Sequence, residues 1–410
     1  MAKKKFNLFF AGFFSFILGF ILCFSAVTYF YLPLTDEVTT SEEIFYTKNE
    51  NIVTSDISVE SANMSVHFLE LGNKYTGDCT YIKTDTCDIL IDCGSKSNSV
   101  GYVSEYLKKY VTDGVLEYVI ITHAHQDHYA GFATPENVPS IFDLFQCNNI
   151  ITFSKTNQSS SSKTYQNYLR GLNKEINEDK AKHYTSAQCI KQENGAKRQY
   201  NIGTDITLEI LDSFYYYNVD SRTENNYSVC SLITYKDGTS KEKNLLFTGD
   251  LEKDGEEELI KKNPELPKVD LYKAGHHGSK TSSSEALLSV IQPKTVCICC
   301  CAGSPEYTKN ANNQFPTQEF INRIAKYTNE IYVTTLCVDY QNNKFTSFNG
   351  NIVYMITTTH TYQVKCSNNN TILKESEWFK QNRTWPKVAW HSKLNICWRV
   401  FQSPPVCSVT

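Results

Sequence analysis

Apolar and polar positions along this chain change period several times, and each change marks an element. From Met64 to Leu71 they alternate, as in a strand with one buried face. Cys79 to Lys83 and Ile89 to Ile91 read as further short strands separated by turn residues. Val103, Tyr106, Leu107 and Tyr110 then fall at i, i+3, i+4 and i+7, which predicts a helix packed on a sheet. Val115 to Ile121 is the next strand. Residues 132–200 are less regular, with a Ser-rich loop over 157–163 and a helix over Tyr165 to Leu172. Ile206 to Leu211, Val229 to Tyr235 and Asn244 to Phe247 predict strands, the last two joined through the turn pair Asp237-Gly238. Helices over Asp254 to Lys262, Glu285 to Ile291 and Thr317 to Tyr327 follow, with late strands over Ile331 to Val338 and Ile352 to Ile356. Such interleaving predicts a layered α/β protein.

The N-terminus differs. Met1-Ala-Lys-Lys-Lys5 precedes an uncharged apolar stretch, Phe6 to Leu32, closed by Pro33. Its length suits a spanning helix of about 20 residues, and the lysines predict a cytoplasmic N-terminus with the rest of the chain outside. A cleaved signal peptide is the competing reading. The expected organisation is an anchor over 1–33, a polar linker over 34–61, a globular domain over 62–365 and a tail over 366–410. Trp385, Trp390 and Trp398, three of the four Trp residues, crowd into the part of that tail from about 380 on, without periodicity.

The 410 residues are ample for one large core. A formal charge of −4 gives no global field for a polyanion, so any nucleic-acid binding must rest on a local patch. Fifteen cysteines cannot all pair within one chain, and Cys297, Cys299, Cys300 and Cys301 sit in what reads as a buried strand, where Cys acts as a small hydrophobe.

The chemistry concentrates where apolar runs stop. Directly after Tyr118-Val-Ile-Ile121 comes Thr122-His-Ala-His-Gln-Asp-His128. Three imidazoles and a carboxylate delivered by one strand end are half of a metal site. His123 and His125 suit one ion, and Asp127 and His128 a second. Asp250, at the end of Leu245 to Thr248, is the expected bridge between ions about 3.5–4 Å apart. The run Val269 to Ala274 ends in Gly275-His-His-Gly-Ser279, and one of these two histidines completes the second ion. His276, nearer the strand, is the favoured ligand. His277 is left to support the site or touch substrate, a catalytic role shared with Asp127. Two divalent ions, zinc or manganese, lower the pKa of a bridging water, and the resulting hydroxide is the expected nucleophile. Ser279 and Lys280 are placed to bind a phosphate.

These segments resemble the metallo-beta-lactamase superfamily, and within it the hydrolase domain of the ComEC/Rec2 competence proteins. The resemblance rests on Thr122 to His128, Leu246-Phe-Thr-Gly-Asp250 and His276-His-Gly-Ser-Lys-Thr-Ser-Ser283, with Ile91-Asp-Cys-Gly94 as the opening strand and turn. It implies an αββα sandwich with metals at one edge and hydrolysis of a phosphodiester or similar bond. It also implies that Asp92 supports a metal-binding His, although a helix N-cap would use the same residue. Asn225-Asn-Tyr-Ser228 is similar to a family segment that stands where other members have a further metal-binding His, which makes Asn226 and Ser228 substrate-binding candidates. His183 is the only His in that interval, and Phe315-Pro316 stands where the family often has His-Pro.

The leading expectation is a membrane-anchored, extracytoplasmic, metal-dependent nuclease or phosphodiesterase, with nucleic acid as substrate and a DNA-uptake machinery as possible partner. A lactone, lactam or thioester hydrolase would use the same ligands. A non-catalytic DNA-uptake or envelope-associated protein would keep the metal only for folding.

Overall fold

The computed structural model describes residues 55–387 apart from 221, 237, 239–241, 358 and 360. The apolar stretch 6–32, most of the expected linker, Trp390 and Trp398 lie outside the described residues. Among the described residues no helix is long and apolar enough to cross a membrane.

Strands β1 (Ala62–Phe68), β2 (Thr80–Lys83), β3 (Asp88–Ile91), β4 (Val115–Ile121), β5 (Gln146–Thr152) and β6 (Lys182–Thr185) build one sheet. Strands β7 (Gln199–Gly203), β8 (Ile206–Ile210), β9 (Ser231–Lys236), β10 (Glu242–Phe247), β11 (Leu271–Lys273), β12 (Thr295–Ala302), β13 (Glu330–Asp339) and β14 (Lys344–Ser347) build the second. The chain then returns, and β15 (Ile352–Thr357) and β16 (Tyr362–Cys366) extend the first sheet beyond β1. Each sheet joins an antiparallel run to a parallel one: β3 to β6 are parallel in the first, and β10 to β13 in the second.

Parallel strands need covered faces, and the helices supply the cover. Val100, Val103 and Leu107 of the helix Ser99–Leu107 are buried beside the first sheet's core. Leu287, Leu288 and Ile291 of Glu285–Ile291, with Phe320, Ile321 and Ile324 of Gln318–Ile324, pack on Val296, Ile298, Ile331 and Val333. The four-cysteine run lies in fully buried β12, so its thiols fill core space. The predicted helix from Tyr165 extends over Lys163–Asn177, with Ser162 accepting from the Tyr165 N–H as its cap. Strands β5, β6 and β7 had no signal in the sequence. Gln146 to Thr152 carries four polar side chains, and β6 is a four-residue edge held only by β5.

Residues at the start of the expected tail are part of the core. Leu373 and Phe379 are buried, and Trp378 and Trp385 pack against the second sheet's cluster. Arg383 donates to the carbonyls of Pro316, Gln314 and Ala311 at 2.8, 2.7 and 3.1 Å, which clamps the segment before Gln318–Ile324.

Glu70 joins the two sheets. Its carboxylate accepts from Thr335 Oγ1 at 2.9 Å and Ser347 Oγ at 2.6 Å, both on the second sheet. Burial raises its pKa to about 7 against the lowering effect of those two hydroxyls. A carboxyl whose folded pKa is raised holds its proton more tightly in the native state. Its contribution to stability is therefore greatest below the unfolded value near 4.5 and is lost as pH climbs to about 7. The shift corresponds to a loss on the order of 3 kcal/mol. In Glu70→Gln this titration is absent, so the variant's stability minus the native chain's should rise by that order between pH 4.5 and 7 in chemical denaturation. A difference that does not vary with pH would show that Glu70 titrates as an ordinary carboxylate.

Candidate metal centre

Parallel pairing puts successive strand ends at one edge. β3 leads into Asp92 and β4 into Thr122-His123; β10 leads into Thr248-Gly249-Asp250 and β11 into Ala274-Gly275-His276-His277. A fifth segment, Thr76-Gly77-Asp78, enters just before β2. Backbone bonds tie these loops together. The Asp78 N–H donates to Asp127 O at 3.0 Å, the Cys93 N–H to His128 O at 2.7 Å and the Gly94 N–H to Asp78 O at 2.9 Å. Two glycines permit the approach. A Cβ at Gly94 would lie 1.7 Å from Asp127 O, and one at Gly249, where φ is +53°, would lie 2.8 Å from Ser228 Oγ. His276 and His277 themselves stand at φ 46° and 54°, a left-handed pair that costs backbone energy and turns both rings toward the edge.

Asp78, His128, Asp250 and His277 are buried, and their ligand-type atoms all lie within 4.8 Å of one another. His128 Nε2 is 3.1 Å and His277 Nε2 3.3 Å from Asp250 Oδ2. Ligands of a tetrahedral ion bound at 2.0–2.1 Å stand about 3.3 Å apart, so these separations suit one ion. Each imidazole is aimed by its other nitrogen. His128 Nδ1 is 2.8 Å from Asp92 Oδ2, and His277 Nδ1 is 2.9 Å from Cys299 O. Such outer contacts fix the tautomer that leaves Nε2 free to coordinate. Asp92 also accepts from the Thr122 N–H and hydroxyl, both at 2.7 Å.

The donor set fits a divalent cation. His128 Nε2, His277 Nε2, Asp78 Oδ1 and Asp250 Oδ1 are all buried without a hydrogen-bond partner. Only ion-pair contacts of 3.1–3.6 Å within the cluster reach these four atoms, and a cation would satisfy them better. Two imidazoles with two carboxylates are borderline ligands that suit zinc and also manganese or iron. Without such a cation the charges settle on protons. Burial disfavours imidazolium at His128 and His277, yet Asp250 first, then Asp92 or Asp78, outweigh it and raise both pKa values. Burial likewise works against the Asp250 carboxylate, but His128, His277, His276 and Lys273 hold its pKa well below the usual range. The Lys273 ammonium is buried against Asp78, 3.6 Å from Asp250 Oδ1, and bonded to Gly249 O at 3.2 Å.

The other residues singled out in the sequence fall around this group. His123 Nε2 lies 3.1 Å from His125 Nδ1, the spacing of a second ligand pair, and the His123 and His128 ring centroids are 4.2 Å apart. Asp127 Oδ2 is 3.4 Å from His277 Nε2. His276 lies at the rim, its Nε2 3.8 Å from Asp250 Oδ2 and its Nδ1 3.1 Å from Thr281 Oγ1. The buried position therefore goes to His277 and not to the favoured His276, because the left-handed turn carries the second ring inward. Ser228 Oγ stands 3.3 Å from His123 Nδ1 and accepts from the Asp250 N–H at 3.1 Å, behind the ligands. Asn226 is buried and its Oδ1 accepts from the Glu252 N–H at 3.0 Å. Ser279 Oγ pairs with Thr281 Oγ1 at 3.0 Å, and exposed Lys280 reaches Asn313 Oδ1 at 3.2 Å. His183 bonds Thr152 at 2.9 Å on the β5–β6 edge and takes no part in the cluster.

Sequence reasoning passed over Asp78, the placement of Lys273, and Tyr307, whose hydroxyl donates to Asp127 Oδ2 at 2.7 Å. A signal for Asp78 existed: Thr76-Gly77-Asp78 repeats the tripeptide Thr248-Gly249-Asp250.

Residues 72–134 match the metallo-beta-lactamase superfamily. ComE operon protein 3 of Bacillus subtilis is 39% identical over 83 residues, 20% of this chain and 10% of that protein. Recombination protein 2 of Haemophilus influenzae is 32% identical over 120 residues, 29% of this chain and 13% of that protein. The aligned part thus spans about a tenth of each relative. A crystal structure of the metallo-beta-lactamase SMB-1 bound to 2-mercaptoethanesulfonate aligns at 13% identity over 53% of this chain and 78% of that one, with a TM-score of 0.32. The family match and the metal-type cluster agree with a metal-dependent hydrolase.

Metal content after dialysis separates the two adjacent histidines. His277→Ala should lose one equivalent relative to the native chain and His276→Ala should keep it; the opposite pattern would make His276 the ligand. Asp92→Asn should weaken metal affinity by roughly 10–100-fold through the His128 ring it aims.

Proposed function

For a metallo-beta-lactamase-type chain that resembles the ComEC/Rec2 proteins, we propose a phosphodiesterase acting on nucleic acid, anchored by residues 6–32 with its hydrolase part outside the membrane. The observation that carries the reading is the set of unmatched buried ligand atoms on Asp78, His128, Asp250 and His277, with the His123–His125 pair beside it. A divalent cation held there supplies Lewis acidity to a phosphoryl oxygen and to an attacking water. The chain's own residues do the positioning. Asp92 and Cys299 O orient two imidazoles, and Ser228 and Thr122 stand behind a third. Asp127 is the least buried carboxylate of the group, at 17% exposure, and so faces an arriving substrate. Burial would raise its pKa, but His277 and His128 hold it well below the carboxylate range, so Asp127 accepts hydrogen bonds and does not donate them. The name of one aligned relative, Recombination protein 2, favours DNA handling over small-molecule hydrolysis, and a DNA-uptake assembly is the proposed partner.

The full-length chain, stripped with EDTA and reloaded with zinc or manganese, should cleave bis(p-nitrophenyl) phosphate and single-stranded DNA. His125→Ala and Asp250→Asn should each lower the rate on the order of 10²–10³-fold, as expected for loss of a group that stabilises transition-state charge. Less than one equivalent of transition metal with no gain on reloading would remove the enzyme reading. Turnover of a chromogenic lactam or lactone without diester cleavage would replace phosphorus by carbon as the site of attack.

A further inference from the structure

Three segments far apart in sequence place cations and aromatic rings in alternation beside the metal-type cluster. Tyr75 and Tyr340 meet edge to face with centroids 6.3 Å apart. Lys74 Nζ lies 4.2 Å from the Tyr340 centroid and 5.6 Å from that of Tyr75, and donates to Tyr340 O at 2.8 Å. Lys96 Nζ lies 4.7 Å from the Tyr75 centroid. All four residues are partly exposed. Among the described residues Lys74 has no carboxylate partner, and the contact of Lys96 with Glu306 is long, at 3.7 Å. The rings therefore hold the Lys74 ammonium in place with no carboxylate beside it, while Lys96 shares its charge with Glu306.

The group runs into the site. Tyr75 is followed by Thr76-Gly77-Asp78, so two residues separate it from a member of the buried cluster. The Thr76 N–H donates to Glu306 Oε2 at 2.9 Å, and the next residue, Tyr307, is 56% exposed and donates to Asp127.

We propose that Tyr340, Lys74, Tyr75 and Lys96 form a platform for a single-stranded polynucleotide whose backbone leads to the Asp127 edge, with Tyr307 as the last ring before the scissile bond. The proposal rests on reading the site as a phosphodiesterase and adds the surface that holds the strand and favours it over a duplex. Open base faces stack on tyrosines whatever the sequence, and ammonium groups spaced between rings meet successive phosphates. A duplex keeps its base faces closed and offers nothing to the rings. The chain carries a formal charge of −4, so a local arrangement of this kind is what a polyanion requires.

The test is binding of fluorescein-labelled 12-residue deoxythymidine and uridine oligonucleotides, and of a 12-base-pair duplex, to the full-length chain in EDTA. Single strands should bind more tightly than the duplex. Tyr75→Ala combined with Tyr340→Ala should weaken strand binding about 10-fold or more, while the paired Phe substitutions, which keep the rings, should retain it. Lys74→Gln, a change at the surface, should reduce the slope of log affinity against log salt by about 0.7. Equal affinity for duplex and strand, a loss below about twofold in the Ala pair, or an unchanged salt slope would each overturn the platform. Strand binding by a chain that cleaves no diester would remove the catalytic reading and leave the platform standing. Diester cleavage with strand binding indifferent to these variants would do the reverse.

Discussion

Asp78, Asp92 and Asp250 are almost wholly buried at one edge of the sandwich, with Asp127 beside them. Gathering like charges away from water is among the more expensive things a fold can do, and it persists only when opposite charge is supplied in the same space. Lys273 supplies one ammonium, and His128 and His277 are drawn toward imidazolium by the carboxylates around them. Hydrogen-bond acceptors and nitrogens still remain unmatched, and a divalent cation is the species that satisfies carboxylates and neutral imidazoles together. The local features of this edge all serve that convergence. Gly94 and Gly249 let backbones approach, a left-handed His-His turn aims two rings, and Asp92 serves both Thr122 and His128.

The two halves of the centre differ. The Asp78–His128–Asp250–His277 position is sealed and has its outer contacts in place. Of the other two histidines, His123 is also buried, with Ser228 and Thr122 behind its ring, and His125 is partly exposed. The C-terminal segment bears on the same region from outside. Arg383 clamps the carbonyls of Ala311, Gln314 and Pro316, and Trp378 closes on Gly303, so the loop carrying Tyr307 and Phe315 is braced at both ends. Phe315 packs 5.6 and 5.8 Å from the His276 and His277 rings, an apolar neighbour that shields the imidazoles from water.

Local pattern was enough wherever the signal was periodic or dense. β4 and the helix Glu285–Ile291 have the bounds that apolar spacing predicts, and the helix from Lys253 ends at the predicted Lys262. Strand ends followed by His or Asp identified the loops that meet at the edge, because in a parallel sheet ligand-type residues after an apolar run share one side. β5 and β6 were not legible, since their polar side chains are tolerated by neighbouring strands and not demanded by a local period.

Residue types and their spacing by themselves determined a layered α/β chain with metal chemistry at the ends of its strands. Tertiary structure alone decided which atoms meet: that His277 turns inward and His276 stays at the rim, that Asp78 joins from a turn with no histidine near it in sequence, and that Asn226 and Ser228 brace the site from behind. It also assembled a ring-and-cation surface from residues 74–75, 96 and 340, where no alternation exists along the chain. The physical reason is common to all of these. Coordination and stacking depend on separations of a few ångströms between side chains, and those separations are set by how two sheets and their loops pack, which no local period encodes.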